Sequence, residues 1–96
     1  MFYYKIHKSR GKTLLAICDS DLLGKKFEEG KLALHVSRDF YGGQEIGNDV
    51  VDIFPKADII NIAGSKIVSL ALKGKWVSKE GIIKIRRIPH AQIFSL

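Results

Sequence analysis

The sequence predicts one α+β domain over residues 1–96, with a mixed sheet of about five to six strands, an N-terminal β-hairpin and two helices. Short alternating or apolar runs, typical of strands, occur near both ends of the chain. A helical pattern of apolar and basic residues lies between them. With 96 residues, 46% of them hydrophobic and 27% charged, the chain can build one core but not two.

The amino-terminal half is expected to be mostly strands. Alternation over residues 2–7 and again over 12–18 predicts two strands, joined into a hairpin by Ser9-Arg10-Gly11. A third strand is expected over residues 31–36, where apolar and polar positions alternate. The paired glycines of Phe40-Tyr41-Gly42-Gly43 favour an irregular loop after it.

Two helices are expected in the second half of the chain. Asn48 can cap the first helix, which Pro55 would kink or end because proline lacks an N–H. Ser65 can cap the second helix, over residues 66–73, with its hydroxyl accepting a bond from a first-turn amide. In that helix Lys66, Ser69 and Lys73 are spaced by three and four and form one solvent-exposed stripe.

Strands flank this second helix. The apolar run over residues 59–63 predicts a buried strand before it. Extended structure is expected again over residues 82–86, broken by Pro89 and followed by a last edge strand over 91–95. A right-handed crossover over residues 59–86 would join these strands.

The charge distribution indicates a polyanionic partner. The chain carries a net charge of +6, and basic and acidic residues cancel over residues 1–58. In residues 59–96, seven basic residues face only Glu80, so the whole excess lies there. Such asymmetry predicts one positive face on the folded protein.

We therefore expect a small RNA-binding protein that contacts phosphates and exposed bases without catalysis. Lys84, Arg86 and Arg87 are expected to line one strand, with His90 and Gln92 adding hydrogen bonds. Three further cations extend this surface, and one aromatic residue is a candidate for stacking on a base. They are Lys66, Lys73 and Lys75, and Tyr41. Gly64-Ser65-Lys66 could also hold a phosphate at a helix start, although it lacks the full nucleotide-binding motif.

Five short motifs, in order, resemble an uncharacterised archaeal family catalogued as domain of unknown function 424. They are Tyr4-Lys5-Ile6-His7, Cys18-Asp19 with Leu22-Leu23-Gly24-Lys25, Phe40-Tyr41-Gly42-Gly43, Asn61-Ile62-Ala63-Gly64 and Pro89-His90-Ala91-Gln92. The resemblance implies an archaeal cytoplasmic protein with a role close to translation, associated with the ribosome or with tRNA. Pro55 and the Arg86-Arg87 pair depart from the family pattern.

Two other classes of function remain open. The chain could be an interaction module that docks on a protein assembly by adding a strand at the 91–95 edge. An enzyme would have to bring His7, Cys18, His35 or His90 together, yet the expected hairpin separates Cys18 from His7. One cysteine and three histidines without metal-site spacing predict no metal and no cofactor. With no membrane span either, we expect the protein in the cytoplasm.

Overall fold

Strands make up most of the regular structure in residues 1–94, the part of the chain that the computed structural model describes. They are β1 (Phe2–Ser9), β2 (Lys12–Asp19), β3 (Lys26–Glu29), β4 (Leu32–His35), β5 (Gln44–Ile46), β6 (Ile59–Ala63), β7 (Ile82–Ile85) and β8 (Ile88–Phe94). The α-helices are α1 (Arg38–Tyr41) and α2 (Ser65–Lys73). Tighter 3₁₀ segments span Ser20–Leu22, Asn48–Lys56 and Lys79–Gly81.

Six strands form one mixed sheet in the order β5-β1-β2-β6-β8-β7, and β3 pairs with β4 in a separate hairpin. Strands β2 and β6 run parallel, whereas the other neighbours in the large sheet run antiparallel. Arg10 and Gly11, both with positive φ, form the tight turn between β1 and β2. The predicted fold class, mixed sheet and N-terminal hairpin are therefore confirmed.

The crossover connection predicted over residues 59–86 is present. Strands β6 and β7 both run antiparallel to β8, which lies between them, so β6 and β7 are parallel and their connection through α2 crosses β8. A second crossing connection, which the sequence did not indicate, runs from the end of β2 at Asp19 to the start of β6 at Ile59. Because β2 and β6 are parallel, both end at the same edge of the sheet, beside the start of α2.

Apolar side chains cover both faces of the large sheet. On the first, which we call the α2 face, the sheet packs against α2 and the 3₁₀ segment Asn48–Lys56. On the second, the hairpin face, it packs against α1 and the β3–β4 hairpin. The largest fully buried side chains are Phe2, Phe54, Leu15, Ile17, Ile60, Ile62, Ile67, Val36, Val50 and Cys18.

The two expected helices have different outcomes. The second is confirmed, because α2 spans Ser65–Lys73 and buries Ile67, Val68 and Ala71. The first is a 3₁₀ segment rather than an α-helix, with Gly47 instead of Asn48 at its N-cap. Its apolar side is still directed into the core. Pro55 lies inside this segment, where an α-helix would lose one main-chain bond.

The strand expected over residues 31–36 is confirmed as β4, but it does not join the large sheet. It pairs only with β3, for which the sequence showed no alternation. The segment after it is also more regular than expected, since Arg38–Tyr41 forms a short helix capped by the Ser37 hydroxyl. These elements together cover one end of the hairpin face.

Candidate functional site

Five exposed cations lie along a series of neighbouring grooves that begins on the α2 face and ends at the β7–β8 turn. All belong to the part of the chain that carries the excess positive charge. We call this set the basic track. Its members are Lys66, Lys79, Lys84, Arg86 and Arg87.

The first two grooves of the track lie on either side of α2. One, of about 350 Å³, is lined by Lys66 together with Met1 and Phe2 at the start of the chain. The other, of about 490 Å³, lies between α2 and strands β7 and β8. Ser65 and Ser69 on the exposed side of α2 line both grooves, so the two grooves adjoin along the helix.

A third groove continues the track beyond the sheet edge. It has a volume of about 380 Å³ and is lined by Lys84, Arg86, Arg87 and Glu29. Lys84 also lines the groove between α2 and β7, on the opposite wall from the helix. Lys84 borders both the second and the third groove, so the three grooves are neighbours from Lys66 to the β7–β8 turn.

The β7–β8 turn holds its two arginines in an unusual backbone conformation. Arg86 and Arg87 have φ values of 51° and 68°, and Ile85 pairs directly with Ile88 across them. They are therefore the two central residues of a tight turn, and the expectation that Lys84, Arg86 and Arg87 line one strand is wrong. Left-handed backbone costs roughly 1–2 kcal/mol at each residue that has a Cβ. Both arginines are exposed to solvent.

Two hydrogen bonds from Arg86 to strand β3 of the β3–β4 hairpin hold this turn in place. The Arg86 main-chain N–H donates to Glu29 Oε1 at 2.6 Å, and Arg86 Nε donates to the Glu28 carbonyl oxygen at 2.6 Å. The second bond engages a neutral carbonyl, which leaves the guanidinium charge in place. Arg87 makes no comparable bond among the described residues and projects freely at the tip.

Carboxylates neutralise little of the track. Within residues 1–94 the one ion pair closer than 4 Å joins Lys26 to Glu28, both largely exposed. Glu29 is the single acidic residue among those that line the three grooves. Lys79 lines the central groove although the sequence did not single it out, since only its place in a 3₁₀ turn before β7 brings it there.

The N-terminus of α2 is closed to external anions, because the carboxylate of Asp19 occupies it. The Lys66 amide donates to Asp19 Oδ2 and the Ile67 amide to Asp19 Oδ1, each at 2.9 Å. Asp19 is only 3% exposed. The Ser65 hydroxyl makes no capping bond, so the predicted Ser65 cap is wrong. The Gly64 and Lys66 amides are already bound, so Gly64-Ser65-Lys66 does not offer the phosphate site that the sequence left open.

Gly64 allows this carboxylate to approach. Its φ is 122°, and a Cβ built on it would collide with the Asp19 carboxyl group. Only glycine fits both requirements at low cost. The residue pair connects the ends of β2 and β6, and it positions α2 and its lysines relative to the sheet.

Lys73 and Lys75 lie at and just after the C-terminal end of α2, and their side chains do not line the grooves. Lys73 is the last residue of the helix and Lys75 follows it with a φ of 62°. Both are exposed on the α2 side of the sheet, but neither lines the track. These two lysines add to the positive potential near the track but do not form part of its grooves.

The other three predicted site residues lie on the hairpin face, away from the track. Tyr41 is 2% exposed, and its hydroxyl donates to Asn61 Oδ1 at 2.7 Å. His90 Nε2 lies 2.9 Å from the same oxygen, and Gln92 is exposed two residues further along β8. Tyr41 as a stacking platform is therefore wrong, because its ring is enclosed in the core.

Burial governs the titration of this buried polar network. It raises the pKa of Tyr41, and it lowers the pKa of His90 from the usual 6.5. A neutral His90 can donate from Nε2 to Asn61, so the network carries no charge at neutral pH. It stabilises the sheet, whereas the cations that could bind a phosphate backbone lie elsewhere.

The last strand is not a free edge. Strand β8 lies between β6 and β7, and β7 pairs with it from Ile88 to Ala91. The docking hypothesis needed a free strand edge over residues 91–95, but β8 is already paired on both sides at Ala91. Ser95 lies outside the described residues. The edge position is taken by β7, which arrives through the 3₁₀ turn at Lys79–Gly81.

Cys18 and His7 do not form a reactive pair. Cys18 is fully buried, and burial raises its pKa to about 12, so its thiol stays protonated. Cys18 pairs with Tyr3, which places it about 13 Å along β1 from His7. Across residues 1–94 no three His, Cys, Asp or Glu side chains gather as metal ligands, and no helix is long and apolar enough to cross a membrane.

Comparisons with known proteins identify relatives but no activity. The model of the family described as "Protein of unknown function (DUF424)" matches residues 7–96. The crystal structure of an uncharacterized conserved protein from Methanopyrus kandleri is similar in fold, with a TM-score of 0.80 and 25% identity. That match covers 99% of this chain and 91% of that chain. No curated protein matches the sequence.

Proposed function

This chain belongs to the DUF424 family of proteins of unknown function, and we propose that it binds RNA through the basic track, without catalysis. The clustering of cations along neighbouring grooves carries this proposal. Five exposed cations line three grooves that share residues, with one carboxylate among all the lining side chains. A polymer with one negative charge per residue is the ligand that can occupy all three grooves together.

The chemistry of the track suits a phosphate backbone. Arginine offers a planar fork that matches phosphate oxygens, and the exposed lysines supply mobile point charges. The Arg86-Arg87 turn keeps a strained conformation that the β3–β4 hairpin holds in place. A two-residue hairpin turn requires positive φ at both central residues, so the turn holds the two arginines side by side at one end of the track.

Within this proposal the partner is an RNA of the translation machinery, and the compartment is the cytoplasm. The free, buried Cys18 is compatible with a reducing compartment. Lysate fractionated on a density gradient tests the assignment. The protein is expected to migrate with ribosomal subunits or tRNA at low salt and to leave that fraction at high salt. Migration alone at low salt would contradict it.

Binding itself is tested by fluorescence anisotropy with a labelled single-stranded RNA over a range of salt. If about four phosphates are neutralised, log K falls with log salt with a slope near −3. A slope indistinguishable from zero, or no binding at low salt, would refute the proposal.

One pair of variants isolates the track from the general positive charge. Arg87→Ala removes a track cation, whereas Arg10→Ala removes an exposed arginine from the turn of the β1–β2 hairpin. Both residues have positive φ in two-residue turns, so the effects on the backbone are matched. Arg87→Ala is expected to weaken RNA binding roughly fivefold and Arg10→Ala hardly at all. Equal losses would show that net charge alone attracts RNA.

A further inference from the structure

The central groove of the track combines an apolar floor with a cationic mouth. Val68 and Pro89 are buried at its floor, and Leu72 and Ile82 are half-buried beside them. Exposed lysines and two serine hydroxyls surround the opening. They are Lys79, Lys84, Ser65 and Ser69.

Phosphates alone would leave half of this groove unused. An anion on Lys79 and Lys84 gains nothing from the apolar floor, which gives up its water only to an apolar or planar group. The volume of about 490 Å³ lies in the range of roughly 300–1,000 Å³ typical of sites for small organic groups. The groove therefore fits a ligand that carries an anion and a planar, weakly polar ring within one unit.

A nucleotide whose base has left the stack has this composition. In a duplex the bases are stacked inside, and only phosphates and groove edges reach a protein surface. In a single strand the base can enter a groove while its flanking phosphates stay outside. The two hydroxyls at the rim can bond to the polar edge of such a base.

Resting on the proposed function, we infer that the track selects single-stranded RNA and that the α2–β7 groove receives one unstacked base. The flanking phosphates bind Lys79 and Lys84, and the strand continues toward Lys66 on one side and Arg87 on the other. An acidic peptide is disfavoured, because carboxylate side chains bring no planar ring to the apolar floor of this groove.

Ser69→Leu tests the groove without removing a charge. Ser69 is exposed on α2, and leucine is a better helix former, so the helix is retained while the side chain fills the groove. Ser9→Leu adds the same side chain at an exposed position of β1 that does not line the groove. Unfolding followed by the fluorescence of Trp76, which packs on Phe54, checks that both variants fold.

The readout is anisotropy with a single-stranded RNA of about 12 nucleotides and with the same sequence as a duplex. The wild-type protein and Ser9→Leu are expected to bind the single strand about tenfold more tightly than the duplex. Ser69→Leu is expected to lose this preference by weakening single-strand binding alone. Equal wild-type affinities, or a Ser69→Leu loss shared by both RNAs, would overturn the inference.

The same titrations separate the inference from the proposal beneath it. Salt-dependent binding of the duplex without a single-strand preference leaves RNA binding intact and rejects the base-binding groove. Binding of neither RNA at low salt rejects both. Labelled polyglutamate provides the last arm, because binding as tight as that of single-stranded RNA, weakened by Ser69→Leu, would assign the groove to an acidic protein.

Discussion

Replacing Asp19 by Ala tests how α2 is joined to the sheet. The substitution removes both acceptors of the Lys66 and Ile67 amides and leaves these two donors without a partner at the helix start. A hydrogen bond to a charged group contributes about 1.5–3 kcal/mol, and loss of an N-cap costs about 0.5–2 kcal/mol. Lys66 is exposed, so water can replace the acceptor that its amide loses, whereas Ile67 is buried and its amide stays without a partner. We therefore expect Asp19→Ala to lower the free energy of unfolding by about 2–4 kcal/mol.

Chemical unfolding, followed by Trp76 fluorescence, measures this loss. In thermal unfolding it corresponds to a fall in Tm of roughly 10–25 °C for a domain of this size. Asp19→Asn keeps one oxygen acceptor and is expected to lose about half as much. Asp21→Ala removes an exposed carboxylate two residues away and should change stability by less than about 0.5 kcal/mol. If Asp19→Ala were no more destabilising than Asp21→Ala, the capping role would be refuted.

Three further predictions concern the interior. Gly64→Ala should lower the free energy of unfolding by about 2 kcal/mol or more. Gly11 also has positive φ but has open space around it, so Gly11→Ala should lower this free energy by only about 1 kcal/mol. Similar losses in the two variants would refute the contact between Gly64 and Asp19. Cys18 should react with a thiol reagent at neutral pH only at the rate of unfolding, and fast labelling of the native protein would contradict its burial. Because the pKa of His90 is lowered, the unfolded chain binds the proton first as pH falls through 6.5, so stability should drop there by at most about 1.4 kcal/mol per pH unit. Urea midpoints at several pH values measure this drop, and His90→Gln should lack that part of it.

Local patterns predicted much of the fold. The Arg10-Gly11 turn, the buried strand over residues 59–63 and the faces of α2 all follow from periodicity and turn chemistry, and the structure confirms them. Each of these features depends on neighbours within a few positions. The charge asymmetry was likewise visible in the sequence, because it needs only a count of residues.

Features set by distant partners could not be predicted. Asp19 caps a helix that begins more than 40 positions later, and the local capping rule pointed to Ser65 instead. Tyr41 belongs to a glycine-containing motif that is typical of a loop, yet its hydroxyl donates a hydrogen bond to Asn61 in the core. The sequence predicted extended structure over residues 82–86, since arginine rarely adopts positive φ, yet Arg86 lies in the turn.

The predicted site residues also lie on two different faces of the sheet, which the sequence could not show. Lys84, Arg86 and Arg87 line adjoining grooves because the β7–β8 turn follows β7 directly, and Lys66 lines the neighbouring groove on the other side of α2. His90 and Gln92 lie on the opposite face, since side chains along β8 alternate between the two faces of the sheet. Sequence spacing shows that strands alternate but not which face receives the helix.

The most direct test of the track compares the salt dependence of RNA binding in two double variants. One is Lys79→Ala/Lys84→Ala, and the other is Lys8→Ala/Lys12→Ala. Both double variants lose two exposed lysines and the same net charge, but only the first pair lines a groove of the track. For single-stranded RNA, losing two phosphate contacts should reduce the slope of log K against log salt by about 1.4 in the first variant and leave it unchanged in the second. Equal slopes in the two variants would contradict a single RNA-binding track on this protein.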